Sequence, residues 1–258
     1  MDLGLQGSVV LVTGGVRGVG LGISEVLLAT GAVVVTCARH APRSLPDADG
    51  RTAEFTECDV RDGDQVARLF DDIVTRHSRL DLLVNNAGGS PYALAAEASP
   101  RFHAKVVELN LLAPLLLAQA ANAVMQRQDG GGSIVMVSSV SGRRPSPGTA
   151  AYGAAKAGLD NLTATLAVEW APKVRVNSLA VGMVRTEEAA LHYGDEAAVA
   201  AVGRTVPLGR LAEPREIGTC VAFLASPLAS YVTGACLAVH GGGEAPAFLS
   251  AANVEGRA

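Results

Sequence analysis

No part of this chain is strongly basic. Its 21 lysines and arginines are outnumbered by 25 acids, for a formal net charge of -4, and without a basic face nucleic acid is not an expected partner. Nor is any apolar run long enough to cross a bilayer. The greasiest, Leu109 to Met125, is broken by Asn110, Pro114, Gln119 and Asn122, which leaves it too short and too polar. The first residues, Met-Asp-Leu-Gly-Leu-Gln-Gly, carry no charged leader and no signal-like segment. A cytoplasmic protein with no membrane partner is therefore expected. Cysteines number only four. Cys37 and Cys236 fall in predicted strands, Cys58 follows one and Cys220 lies in a helical run, none at the spacing of metal ligands. They read as buried thiols acting as small hydrophobes, with a Cys37–Cys58 bridge left open. No cluster of His, Cys or carboxylates offers a metal site, and no internal repeat is visible.

What the chain has in quantity is apolar residue, 49% against 18% charged. That suffices for a large core and excludes disorder. Its 258 residues are ordinary for one doubly wound α/β domain, expected to occupy the whole chain. Val9-Val-Leu-Val12 is an apolar run of the parallel-strand kind. It feeds Thr13-Gly-Gly-Val-Arg-Gly-Val-Gly20 and then a helical stretch that stops near Gly31. Gly14, Gly18 and Gly20 leave room for a tight turn and for backbone approach to a pyrophosphate, with Val16, Arg17 and Val19 between them. The helix N-terminus that follows offers unpaired N–H groups and a positive dipole end. Strand before and helix after give the glycine triplet its weight.

Ala32-Val-Val-Val-Thr-Cys37 reads as the second strand. Folds that prefer NAD usually place an acid at its end, to bind the ribose 2′-hydroxyl. This chain has Ala38 there, followed by Arg39 and His40, and Arg17 can point at the same place. Two guanidiniums and no carboxylate suit a 2′-phosphate, so NADP is the expected cofactor. The plainer reading makes both arginines solvated surface charges.

Gly132-Ser-Ile-Val-Met-Val-Ser138 reads as a buried strand. It puts Ser139 at a C-terminal edge, where ligand crevices open in α/β sheets. The turn-rich Gly142-Arg-Arg-Pro-Ser-Pro-Gly148 can fold that hydroxyl back toward Tyr152-Gly-Ala-Ala-Lys156. On a helix, Tyr152 and Lys156 project from one face. A free phenol titrates at about 10. A nearby ammonium favours the phenolate, and lowering the value by roughly three units needs about 4 kcal/mol. A tyrosine so tuned exchanges a proton with an alcohol or carbonyl near neutral pH.

Together these motifs resemble the short-chain dehydrogenase/reductase family over nearly the whole chain, with the glycine spacing TGxxxGxG rather than GxGxxG. The 3-oxoacyl-thioester reductases are one subtype in view. The resemblance implies a Rossmann domain of about seven parallel strands with helices on both faces. It implies a catalytic set of Asn110, Ser139, Tyr152 and Lys156. In that set Ser139 orients the substrate oxygen and Tyr152 delivers or takes the proton. Lys156 lowers the tyrosine's pKa and binds the nicotinamide ribose, and the Asn110 carbonyl holds a relay water. Pro114, four residues on, has no N–H to give that carbonyl, which either frees it for water or merely starts the next helix.

The same resemblance assigns Asp59 and Val60 to the adenine, although Asp59 could equally cap the helix from Asp62. It gives Asn86, Ala87 and Gly88 to the cofactor lining, and Gly182, Val184 and Thr186 to the carboxamide. Where the family usually has Pro-Gly this chain has Val181-Gly182, expected to loosen the turn. His240 stands where an aspartate is usual. Substrate-pocket candidates are Ser139, Ser90, Tyr92, Arg143 with Arg144, His192 and Tyr193, each of which also reads as a bystander. The implied function is NADP-dependent hydride transfer to or from a small carbonyl or secondary alcohol, in a homotetramer or dimer. The alternative is a catalytically silent dinucleotide-binding regulator or scaffold, against which the intact set of four argues. An extended sugar-nucleotide epimerase would want a longer substrate region and different glycine spacing.

Overall fold

The computed structural model describes residues 3–89 and 91–247. Strand β1, Val9–Thr13, is buried throughout, as a β-branched run is when both faces of a parallel sheet are covered. In chain order there follow helix α1 (Gly18–Ala29), β2 (Val33–Ala38), β3 (Asp47–Ala48), β4 (Arg51–Thr52), β5 (Glu54–Glu57), α2 (Gly63–His77) and β6 (Leu82–Asn85). The second half supplies α3 (Pro100–Val107), α4 (Ala113–Met125), β7 (Gly132–Ser139), α5 (Ala150–Trp170) and β8 (Val174–Val181). It ends with α6 (Ala189–Tyr193), α7 (Glu196–Gly203), α8 (Pro214–Ala225) and β9 (Cys236–Val239).

Seven strands make one parallel sheet in the order β5-β2-β1-β6-β7-β8-β9. The chain starts in the middle at β1, winds outward to β5, then crosses back to β6 and winds the other way. That reversal leaves a crevice beyond the C-terminal ends of β1 and β6, where such sheets bind ligands. The two-residue strands β3 and β4 form a separate antiparallel hairpin, not anticipated from the sequence.

Period-two alternation sorts the sheet's side chains to two faces. Val10, Val12, Val84 and Val135 pack with Ile23 and Leu27 of α1 and Ile217 and Val221 of α8. Leu11, Val35, Leu83 and Ile134 pack on the other face with Leu69 and Ile73 of α2, Leu117 of α4 and Leu159 of α5. Each such side chain, fully buried, contributes about 1.5–3 kcal/mol. Helix α2 is capped by Asp62, whose carboxylate accepts from the N–H groups of Asp64 and Gln65 at 3.0 and 3.1 Å. The capping role open to Asp59 thus belongs to Asp62.

Residues 100–125 form one helical run, long and apolar enough by length and composition to cross a membrane, unlike the shorter stretch judged from sequence. Here it packs on α2, α5, β6 and β7, the placement of a core helix. Between α3 and α4 the run widens into a π-helical turn, Glu108–Leu112, where the Ala113 N–H donates to the Glu108 carbonyl. The α-helical ladder is therefore interrupted around Asn110, as Pro114 led us to expect. Pro114 also sits in the first turn of α4, the plainer of its two readings.

The turn after β8 differs from expectation. Val181 is the strand's last residue, 6% exposed, and pairs with Ser139 on one side and Val239 on the other. Proline would carry no donor for a ladder, whereas valine lets the strand run on to the turn.

Candidate active site

The loop after β1 turns on residues with left-handed backbone, Gly14 (φ 62°) and Gly18 (φ 53°). At Gly20 the close approach is decisive: a Cβ would lie 2.2 Å from the Gly14 carbonyl oxygen. Any side chain there would push the loop off the helix N-terminus. The loop opens on a cavity of about 430 Å³. Every sequence-predicted cofactor position lines it except His40, which is exposed and stands outside. The glycine cradle at the N-terminus of α1 and a lining of mixed polar and apolar groups fit a dinucleotide.

At one end of the cavity Arg39 is exposed on the rim. Arg17 is not unengaged: its Nη1 donates to Glu188 Oε1 at 2.7 Å. Asp59 is held by Arg61, which donates from Nε at 2.9 Å and Nη2 at 2.6 Å. Those bonds, with the Arg61 amide and the more distant Arg39 charge, keep the Asp59 carboxyl below its ordinary range against the opposing effect of burial. Its side chain is thus committed to a neighbour two residues on.

At the other end, β7 delivers Ser139 and α5 delivers Tyr152 and Lys156. Lys156 is 3% exposed. Its Nζ donates to the Val137 carbonyl at 2.7 Å and lies 5.5 Å from the centroid of the Tyr152 ring. Ser139 Oγ accepts from the Ser141 N–H at 3.1 Å, and its hydroxyl is near enough to Tyr152 to favour the phenolate. The loop geometry needed to bring hydroxyl and phenol together is therefore present.

The electrostatics of this pair correct the sequence reading. Burial raises the Tyr152 phenol above its usual 10.0, with the Ser139 hydroxyl only partly opposing. Lys156 is itself lowered to about 8 by burial, with the Asp160 carboxylate opposing. The ammonium lies over the ring rather than at the phenol oxygen, and a carbonyl already takes one of its protons. The expected lowering of the tyrosine is not produced by the polypeptide alone.

Asn110 is fully buried behind this end. Its Oδ1 accepts from the Gly89 N–H, and its Nδ2 donates to the carbonyls of Gly89 and Val106, all at 2.9 Å. The side chain thereby pins the loop after β6. Gly88 lies between Asn110 and Lys156, and a Cβ there would come within 2.7 Å of Asn110 Oδ1 and 3.5 Å of Lys156 Nζ. Asn110→Ala removes three hydrogen bonds, two to the Gly89 backbone and one to the buried Val106 carbonyl, and is expected to cost about 2 kcal/mol. In a thermal melt that is a fall of roughly 4–8 °C; an unchanged melt would contradict the clamp.

The substrate-pocket candidates are scattered. Ser90 and the side chain of His192 lie outside the described residues. Tyr92 is 73% exposed and packs over Gly148. Arg143 pairs with Asp160 at 3.2 Å and Arg144 with Glu244 at 2.5 Å, so neither guanidinium is the unpaired anion attractor its sequence position suggested. Both line a smaller cavity of about 170 Å³ with Met183 and His240. The His240 Nδ1 is buried there with no hydrogen-bond partner among the described residues. Tyr193 lies near Arg144 and Glu244, and burial raises its phenol. Sequence reasoning missed Arg61, Asp160, Glu187 and Glu188. For Asp160 a signal existed, since it follows Lys156 by one helical turn; the glutamates meet the glycine loop only through the fold.

Residues 14–244 match the family described as enoyl-(acyl carrier protein) reductase. The chain is similar to human dehydrogenase/reductase SDR family member 4, with 34% identity covering 92% of this chain and 88% of that one. It is similar also to cis-4-hydroxycyclohexanecarboxylate dehydrogenase of Sinomonas cyclohexanicum, with 39% identity covering 91% and 95%. Among solved structures, ligand-free aldohexose dehydrogenase of Thermoplasma acidophilum superposes with a TM-score of 0.87 at 30% identity, covering 100% of both chains.

Proposed function

Because this chain belongs to the short-chain dehydrogenase/reductase family, we propose that it is an NADP(H)-dependent oxidoreductase of a secondary alcohol or its ketone, with Tyr152 as the acid and base. The observation that carries the reading is the single cavity running from Arg17 and Arg39 at one end to Ser139, Tyr152 and Lys156 at the other. A bound nicotinamide dinucleotide supplies or takes up the hydride. The glycine loop and α1 hold its phosphates. Arg39, with Arg17, accommodates the 2′-phosphate in the absence of an acid at Ala38. Ser139 donates to the substrate oxygen, Tyr152 gives that oxygen its proton during reduction and recovers it during oxidation, and Lys156 keeps positive charge beneath the phenol. Asn110 keeps the Gly88–Gly89 loop in place beside Lys156.

Two relatives whose names specify ring-borne hydroxyl substrates, a hydroxycyclohexanecarboxylate and an aldohexose, make cyclic alcohols and ketones the first substrates to test. A homo-oligomer belongs to the same proposal, supported by Leu112 of the π-helical turn before α4 and Val168 of α5, which stand 53% and 82% exposed.

The cofactor preference is tested by kcat/KM with NADPH and NADH. Losing a charge-assisted bond to phosphate costs about 1.5–3 kcal/mol, so Arg39→Ala is expected to reduce kcat/KM for NADPH by roughly tenfold or more, sparing NADH. Equal values for both dinucleotides, unaffected by the substitution, would overturn the preference.

A further inference from the structure

Two acids of the segment leading into α6 engage the groups that a dinucleotide's phosphates need. Glu187 Oε1 accepts from the Gly18 N–H, the first residue of α1, at 2.9 Å. Glu188 Oε1 accepts from Arg17 Nη1 at 2.7 Å. Both acids line the cavity. Helix α1 has no acid in its own first turn, and Arg17 at the N-cap makes no side-chain capping bond. The dipole end built for an anion is served instead by a carboxylate brought from far along the chain.

We propose that Glu187 and Glu188 determine how tightly this enzyme holds its cofactor and how strongly it favours NADPH over NADH. Glu187 competes with the pyrophosphate for the N-terminus of α1. Glu188 competes with the 2′-phosphate for Arg17. Carboxylate and phosphate carry charge of the same sign, so a phosphate that takes the Gly18 N–H must displace Glu187, and one that takes Arg17 Nη1 must displace Glu188 or meet its charge on the same guanidinium. They are competitors rather than a block. The Arg17–Glu188 pair is largely solvated, with side chains 69% and 45% exposed, and such pairs are weak and screened by salt. The Glu188 half rests on the NADP reading above; the Glu187 half requires only that a dinucleotide binds.

The test is the dissociation constant of NADPH and of NADH, read from the fluorescence of the bound reduced nicotinamide at fixed ionic strength. Glu187→Gln is expected to tighten both dinucleotides by about two- to fivefold, the scale of an exposed charge at a helix end. Glu188→Gln should tighten NADPH by a similar factor, leave NADH unchanged, and have no effect once Arg17 is Ala. Both gains should shrink in high salt. Unfolding temperatures within error of wild type establish that each variant is folded. Unchanged or weaker binding in both variants would overturn the proposal. If wild type and Arg39→Ala bind the two dinucleotides alike and Glu188→Gln moves neither, the NADP reading and the Glu188 half fall together. A tightening of both by Glu187→Gln would then still sustain the other half.

Discussion

Tyr152→Phe is expected to lower kcat for ketone reduction by about 10²–10⁴-fold, the usual contribution of a positioned general acid, while NADPH binds as before. The substitution removes one oxygen from a half-buried ring and leaves its packing over Lys156 intact. Ser139 keeps its bond from the Ser141 amide, so the hydroxyl that orients the substrate stays in place. No other described group has the geometry to replace the phenol: Lys156 is tied to the Val137 carbonyl and Asn110 to the Gly89 backbone. The measurement is a kcat comparison over a panel of cyclic ketones, with the NADPH dissociation constant as the control. A variant as fast as wild type would place the proton elsewhere. A wild type that binds NADPH and turns over no member of a broad ketone and alcohol panel would favour the silent scaffold.

Lys156→Met is expected to do two opposite things, abolishing most of the activity and raising the stability. Lys156 is 3% exposed, and burial lowers its ammonium from its usual 10.5 to about 8. At about 1.4 kcal/mol per unit, keeping that charge buried costs the folded state about 3 kcal/mol at pH 7. Methionine removes the charge and fills similar space, and losing the bond to Val137 gives back about 1 kcal/mol. The net expectation is about 2 kcal/mol of stabilisation, or roughly 4–8 °C in a thermal melt. The sign with pH follows from linkage. Below pH 8 both folded and unfolded lysine are charged, so the cost is present in full. Between about 8 and 10.5 the folded lysine has lost its proton and the unfolded one has not, so wild type gains stability as pH rises. The melting advantage of the variant should therefore shrink across that interval. A variant less stable than wild type at pH 7 would contradict it, and one of undiminished activity would remove Lys156 from the chemistry.

Much of this architecture was legible in the sequence because it depends on local pattern. Val9–Thr13 and Gly132–Ser139 are strands announced by buried β-branched runs, and the glycine spacing between β1 and α1 needs no distant partner to be read. The positions of Tyr152 and Lys156 on one helical face follow from periodicity alone. What was hidden depends on groups brought together across the fold. Glu187 reaches Gly18 across 169 positions, and no window of sequence contains both. The pairing of Arg61 with Asp59 is local, two positions apart, but depends on the turn between β5 and α2, which the residue types did not specify. The hairpin of β3 and β4 has two residues per strand, too few to show alternation. The tyrosine's pKa was misjudged because the sequence displays the neighbouring charge and conceals the desolvation that acts on both partners.

The central claim, that Tyr152 and Lys156 act as one buried proton-transfer unit, is tested most directly by kcat/KM against pH in both directions of the reaction. Reduction needs a protonated phenol above a charged lysine, so kcat/KM for the ketone should fall as pH rises through about 8, where Lys156 gives up its proton. Oxidation needs the phenolate, which burial disfavours, so kcat/KM for the alcohol should climb through the same range and beyond. Flat profiles from pH 6 to 10 in both directions would contradict it (a window of about two units on either side of the lysine's value).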